Sequence, residues 1–150
     1  MKLPLLVDAI CQAFMKGVQG GIWEPRQGMT YCNEAVSFIS SQLDYKKFNG
    51  LLANQMIDLM KTNGEWQDVA VDAAQFHANQ GALVLAGWKN PDGHGHICVV
   101  MPGIPEDSLS WGSLAPKVMN IGETNFIGKR ASFAFSKDHK PQFFALKSMI

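Results

Sequence analysis

The sequence predicts an α+β fold in which helices come first and an antiparallel sheet follows. Apolar residues recur at helical spacing through roughly the first 80 positions, and short apolar runs separated by turn signals follow them. The chain has 150 residues, of which 47% are apolar and 17% are charged, a composition typical of a globular domain. It contains no internal repeat, low-complexity tract or linker, so we predict a single domain over residues 1–150.

Four helices are predicted from the spacing of their apolar side chains. The first covers residues 5–15 and is followed by a loop rich in glycine and proline at 20–28. The second covers 31–43 with Thr30 as its N-cap, and the third runs from 51 to the pair Asn63 and Gly64. A short fourth helix covers 69–79 and ends before Gly81.

Five strands are predicted in the second part of the chain. Residues 82–88 and 96–101 form a hairpin, because the Asn-Pro-Asp-Gly sequence at 90–93 is a strong turn signal. Three further strands cover 117–121, 131–136 and 142–146, and a turn at 138–141 joins the last two. Helices followed by antiparallel strands are the arrangement of an α+β domain.

Charge and the N-terminal segment exclude several classes of partner. The 13 basic and 13 acidic residues cancel, so no basic excess indicates nucleic-acid binding. No apolar run approaches the roughly 20 residues of a membrane helix. The chain begins like a secretory signal, but Asp8, Gln12 and Lys16 follow at helical spacing with no small-residue cleavage site. We therefore expect no signal peptide, no membrane association and no nucleic-acid partner.

The three cysteines, Cys11, Cys32 and Cys98, are too few and too scattered for a disulfide framework. Cys32 is the candidate for a reactive thiol, because it falls in the first turn of a predicted helix. There the positive end of the macrodipole and the backbone N–H groups favour a thiolate. The alternative is that Cys32 is a small buried apolar residue, as most free cysteines are.

His96, at the start of the strand predicted over 96–101, is the candidate base for this thiolate. Gly95 leaves room at the strand entrance, and alternation places His96 and Cys98 on one face. Cys98 would then approach the same pocket, although packing is the simpler role for it. His94 is the rival base, but its position in the turn leaves its side chain less fixed. No Asp, Glu or Cys completes a metal site with His94 and His96, so we expect no metal and no cofactor.

A third polar group usually orients the imidazole in such a site. The first candidates after His96 are the serines of the segment 108–113, Ser108, Ser110 and Ser113, and Asn120 lies further on. None of them stands out as an obvious carboxylate or amide at a strand end, and a backbone carbonyl is the alternative. The sequence does not choose among these groups.

The oxyanion hole and the substrate cleft can be assigned to named residues. The backbone N–H of Cys32 is the simplest oxyanion donor, and Gln27 or Tyr31 from the preceding segment would supply a side-chain donor. We expect Trp111 and His94 to line the substrate cleft, while the other tryptophans belong to the core.

These segments resemble the papain-like NlpC/P60 superfamily of cell-wall hydrolases, and within it the compact amidase effectors delivered by type VI secretion. The likeness covers most of the chain after about residue 28. It rests on the segment around Cys32, on Gly95-His96 with the apolar run 97–100, and on residues 53–56, 81–87 and 111–113.

The resemblance implies a papain-like fold and hydrolysis of amide bonds in peptidoglycan stem peptides, between D-glutamate and the diamino acid or at a nearby bond. Cys32 would be the nucleophile and His96 the general base. It also implies a protein made in the cytoplasm and exported by a non-standard route to act in a recipient's periplasm or cell wall, with a dedicated immunity protein as inhibitor. We expect a monomer.

Three alternatives to this effector hypothesis stay open. A phage lysin would carry the same features. An acyltransferase or deamidase acting on protein would keep the same site and change the acceptor. A phage tail component on an inactive papain-like fold would bind without catalysis.

Overall fold

The computed structural model of the chain describes residues 3–19, 31–122 and 124–150. Within them lie four α-helices, α1 (Leu3–Gln19), α2 (Cys32–Gln42), α3 (Ala53–Thr62) and α4 (Val71–Asn79). Two 3-10 turns follow later in the chain, at Ala131–Phe133 and Lys147–Met149. None of the helices in these ranges combines the length and apolar character needed to cross a bilayer.

The strands in the described residues form two antiparallel sheets. The larger sheet has six strands in the order β1-β8-β2-β3-β6-β7, and each strand runs antiparallel to its neighbours. The smaller sheet is the hairpin β4-β5. The strands are β1 (Trp66–Val69), β2 (Val84–Trp88), β3 (His96–Val100), β4 (Glu106–Ser108), β5 (Ser113–Ala115), β6 (Lys117–Asn120), β7 (Phe126–Arg130) and β8 (Gln142–Leu146).

The six-stranded sheet carries an apolar core on each face, because side chains alternate along its strands. On β3, Ile97 and Val99 pack with buried residues of α1, α2 and α3. Cys98 and Val100, on the opposite face, pack with α4 and with the segment that follows β4. The alternation predicted for this strand is therefore confirmed, and the sheet lies between α1, α2 and α3 on one face and α4 on the other.

The predicted α+β class is confirmed, with small differences at the helix ends. Helix α1 continues through Gly17 to Gln19, and α2 begins at Cys32 with Tyr31 at its N-cap position. Thr30, the predicted cap, and the predicted loop at 20–28 lie outside the described residues. Helices α3 and α4 begin two residues later than predicted, at Ala53 and Val71.

The strand predicted at 131–136 is wrong. Its start is the 3-10 turn Ala131–Phe133, and the strand of this region is β7 (Phe126–Arg130), which was missed. In a strand Phe133 and Phe135 would lie on one face, but Phe133 is 58% exposed and Phe135 only 3%. Ala131 and Phe135, four residues apart, are the buried pair, which is the spacing of a helical turn.

Three other short strands were also missed. Strand β1 pairs with β8 and was read in part as the start of the fourth helix. Strands β4 and β5 have three residues each, and most of these side chains are exposed, so they lack the apolar run that marks a strand.

Candidate active site

A cavity of about 850 Å³ opens where the first turns of α2 and α3 meet the β2–β3 hairpin and the end of β6. Cys32 and His96, the two residues singled out from the sequence, both line it. Helix α2 packs against β3, and the helix start and the strand start both reach the cavity at one end of the sheet's strands. The remaining wall comes from residues 31–34, 52–55 and 93–96, from Gly122 and Thr124 with Asn120, and from Phe133 and Ala134.

Cys32 is the first residue of α2 and is 5% exposed, so it contacts the cavity from an otherwise buried position. The first helical hydrogen bond is donated by Ala35 N–H to the carbonyl of Tyr31 at 2.9 Å. The side chain of Tyr31 does not cap the helix. The N–H groups of this first turn point toward the N-terminal end of α2, where they and the helix dipole favour a thiolate at Cys32.

His96 is the first residue of β3, opposite Trp88 on β2, and it is partly buried. Its ring packs against Phe135, with ring centroids 5.0 Å apart. A Cβ at position 122 would lie 3.2 Å from Cε1 of His96, so Gly122 lets the imidazole lie close to the backbone. These contacts restrain the ring on two sides.

Asn120, the last residue of β6, makes a 2.5 Å hydrogen bond between its Oδ1 and His96 Nε2. Its Nδ2 donates to the carbonyl of Thr124 at 2.8 Å, which fixes the orientation of the amide. An amide oxygen can only accept, so Nε2 of His96 must carry the proton. Nδ1 is then the ring nitrogen that can exchange a proton with a substrate or a nucleophile.

The register of the sheet explains this contact. Val99 of β3 lies opposite Met119 of β6, so Asn120 and His96 are diagonal neighbours on one face of the antiparallel pair. The sequence contained this residue as a distant candidate, but nothing local distinguished it. The signal that could have found it is the pairing of strands 96–101 and 117–121, which places the end of one beside the start of the other.

The candidates preferred from the sequence for the third polar group do not lie at the cavity. Ser110 bonds to the hydroxyl of Ser108 at 3.2 Å, and Ser113 donates to the carbonyl of Leu114 at 3.4 Å. Neither serine is among the residues that line the cavity. Both belong to the β4–β5 hairpin region, which packs into the core on the α4 face of the sheet.

The residues predicted as oxyanion donors and those predicted to line the cleft differ in where they lie. Tyr31 and His94 line the cavity, whereas Gln27 lies outside the described residues. Trp111 was expected in the cleft, but it is 6% exposed and its Nε1 donates to the carbonyl of Phe135 at 3.0 Å. This buried hydrogen bond explains the position of Trp111, because a buried indole N–H requires an acceptor.

The two other cysteines, Cys11 and Cys98, are buried and are not among the residues that line the cavity. Burial, with a contribution from Asp8, raises the pKa of Cys11 to about 12. Burial also raises the pKa of Cys98 well above its ordinary value, and the nearby Cys32 adds to this. Cys98 therefore has the packing role that was the simpler expectation. Among residues 3–19, 31–122 and 124–150, no group of three or more His, Cys, Asp or Glu side chains is placed to hold a metal ion.

Comparison with known proteins does not assign the chain to a family. No family model matches the sequence, and no curated protein matches it at a significant level. What the arrangement can do chemically therefore rests on its own geometry. It joins a thiol at a helix start with an imidazole that an amide side chain holds in one tautomer.

Proposed function

We propose that this protein is a papain-like cysteine hydrolase that cleaves amide bonds, with Cys32 as nucleophile, His96 as general acid and base, and Asn120 as the residue that orients His96. The observation that carries the proposal is the Asn120 Oδ1 to His96 Nε2 hydrogen bond of 2.5 Å at a cavity that Cys32 also lines. A nucleophile, a base and a polar group that orients the base are the parts that nucleophilic amide hydrolysis requires.

The mechanism proceeds in two halves. The Cys32 thiolate attacks the amide carbon and forms a C–S bond, and the carbonyl oxygen takes up the negative charge. Collapse of this intermediate breaks the C–N bond, while the His96 imidazolium gives its proton to the leaving amine. Neutral His96 then takes a proton from water, whose oxygen attacks the thioester, and the thiolate leaves as the carboxylic acid forms.

Asn120 supports both halves through the tautomer of His96. With Nε2–H bonded to Asn120, Nδ1 is the nitrogen that donates and accepts the transferred proton. The neutral amide holds the ring without adding a full charge beside it. The N–H groups of the first turn of α2 are the simplest donors for the oxyanion.

The proposed substrate is the stem peptide of bacterial peptidoglycan, and the proposed setting is an antibacterial effector that acts in a recipient's periplasm and meets an immunity protein. These assignments rest on the sequence resemblance. A peptide ligand is compatible with the cavity, because exposed apolar side chains of Leu52 and Phe133 share its wall with the polar side chains of Glu34 and His94. Such a mixed lining suits a substrate with both apolar and hydrogen-bonding parts.

The test is digestion of purified peptidoglycan by the wild type, by Cys32→Ala and by Cys98→Ala, with the products identified by mass spectrometry. Cys98→Ala is the matched control, because it removes a buried thiol that does not line the cavity. We expect new stem-peptide fragments from the wild type and the control, and none from Cys32→Ala.

Two results would count against the proposal in different ways. Fragments released equally by Cys32→Ala would show that Cys32 is not the nucleophile. A folded wild type that releases nothing from several wall chemotypes would reject the cell-wall substrate, and protein substrates of acyl transfer or deamidation would then be tested.

A further inference from the structure

We infer that Asn54 is a positioning residue of this site, which holds the turn before His96 against the first turn of α3. The inference rests on the proposed function, because it gives Asn54 a task in presenting His96 to Cys32. Asn54 is the second residue of α3 and lines the cavity. Its hydrogen bonds go to the backbone of residues 90 and 93, so its effect on His96 passes through the backbone of the turn.

The amide of Asn54 makes three hydrogen bonds to that turn. Its Nδ2 donates to the carbonyl of Asn90 at 2.8 Å and to the carbonyl of Gly93 at 2.9 Å. Its Oδ1 accepts from the N–H of Asn90 at 3.0 Å. An aspartate has the same size but no donor when ionised, so this turn requires the amide.

Gly95 shows how tightly the strand entrance fits against Asn54. A Cβ at position 95 would lie 2.2 Å from Oδ1 of Asn54 and 2.6 Å from the carbonyl of Trp88. The backbone therefore passes between the Asn54 side chain and strand β2 with no space for a larger residue. Since His96 follows Gly95 directly, the position of the Asn54 amide determines where the strand carrying His96 begins.

A second link between α3 and the hairpin is weak. Lys89 forms an ion pair with Asp58 at 2.8 Å, but both side chains are about half exposed to solvent. Exposed pairs of this kind contribute little to stability. Asn54 is therefore the main polar anchor of the turn, and together with Asn120 it holds His96 from two directions, through the backbone and through the ring.

The experiment compares the pH dependence of Cys32 alkylation by iodoacetamide in folded wild type, Asn54→Ala and Asn63→Ala. Asn63 is the matched control, because it caps the other end of α3 with three hydrogen bonds, to the Tyr45 hydroxyl, the Glu65 carboxylate and the Glu65 N–H. His96→Ala supplies the reference for loss of the imidazole. Peptide mass spectrometry assigns the alkylated residue, and kcat and KM on stem peptide are measured in parallel.

We expect the wild type and Asn63→Ala to share one pH profile, in which alkylation persists below neutral pH because an imidazolium stabilises the thiolate. The pH profile of Cys32 alkylation in Asn54→Ala should shift toward the profile of His96→Ala. The kcat of Asn54→Ala should fall on the order of 10²-fold with KM little changed, since a displacement of about 1 Å in a catalytic group has an effect of that size.

The inference is overturned if Asn54→Ala lowers Tm like Asn63→Ala but keeps the wild-type pH profile and a kcat within about twofold. Asn54 would then have a purely structural role. If His96→Ala itself keeps the wild-type profile, the proposed Cys–His pair fails, which is a separate result. Should Asn54→Ala not fold, Gly95→Ala displaces the same contact from the opposite side. A wild-type profile and kcat for folded Gly95→Ala would overturn the inference as well.

Discussion

Cys32 and Cys98 are both buried thiols, but they lie in regions of opposite character. Cys32 starts helix α2 and lines the cavity, while Cys98 lies in the middle of β3, two residues after His96, and is 1% exposed. Burial raises the pKa of Cys98 well above its ordinary value. A helix start supplies N–H groups and a positive dipole end, whereas the interior of a strand uses its N–H groups in the sheet.

The comparison teaches that closeness to the imidazole along the chain does not decide which thiol reaches the cavity. Cys98 is nearer to His96 in sequence and shares its face of the strand, but it is buried in an apolar cluster with Ala86 opposite it on β2. Cys32 is more than sixty positions away and reaches the same cavity as His96. Access to a cavity and a favourable field are what distinguish the two thiols.

The largest expected effect is a difference in alkylation rate between the two thiols. In native protein treated with iodoacetamide, Cys32 should react at least about 10³-fold faster than Cys98, because Cys98 reacts only after an opening of the core. Mass spectrometry of tryptic peptides over time measures both rates. Similar rates in protein that remains folded would remove the distinction between the two regions.

A smaller effect is expected when Asn120, the residue proposed to orient His96, is replaced. Asn120→Ala should lower kcat by roughly 10²-fold with little change in KM, because His96 loses the acceptor that selects its tautomer. Ser113→Ala is the matched control, since this serine does not line the cavity and should leave steady-state kinetics unchanged. A normal kcat for Asn120→Ala, or a defect in the control, would contradict the assignment.

The smallest effect concerns the pH dependence of stability in the Cys98 region. An unfolded cysteine loses its proton near pH 8.5, while folded Cys98 keeps it to a higher pH, so the stabilisation is complete below that value and is lost as pH rises. Above about pH 9 the free energy of unfolding should fall by about 1.4 kcal/mol per pH unit for each such thiol. Urea unfolding between pH 8 and 10.5 measures the slope.

Cys98→Ala should remove one thiol's share of that slope, and Cys11→Ala should do the same, because the pKa of Cys11 is raised to about 12. The alanine variants also lose packing, but that loss does not depend on pH. An unchanged slope in Cys98→Ala would mean that this thiol ionises in the folded protein as readily as in the unfolded chain.

Features encoded by neighbouring residues were predictable. The spacing of apolar residues predicted α2 and the placement of Cys32 in its first turn, and the turn at 90–93 predicted the hairpin and the placement of His96 at a strand start. Errors arose where short segments depend on distant partners, as in β1, which needs β8, and in the exposed hairpin β4-β5.

The polar group that contacts His96 also could not be found from neighbouring residues. Ser110 and Ser113 are closer to His96 in sequence than Asn120 is, but Asn120 contacts His96, because the register of β3 with β6 determines which side chains are diagonal neighbours. Trp111 was expected at the cleft, and a distant acceptor, the carbonyl of Phe135, explains its place in the core. Neither partner is visible from local spacing.

The amino-acid pattern was therefore enough for the α+β class, for a thiol at a helix start and for a histidine at a strand start. These follow from backbone propensity and periodicity, which act over a few residues. The shared cavity, the Asn120 contact and the anchoring of the turn by Asn54 came only with the packed chain. The reason is that sheet register and helix packing join residues dozens of positions apart, and these contacts depend on the geometry of the whole core.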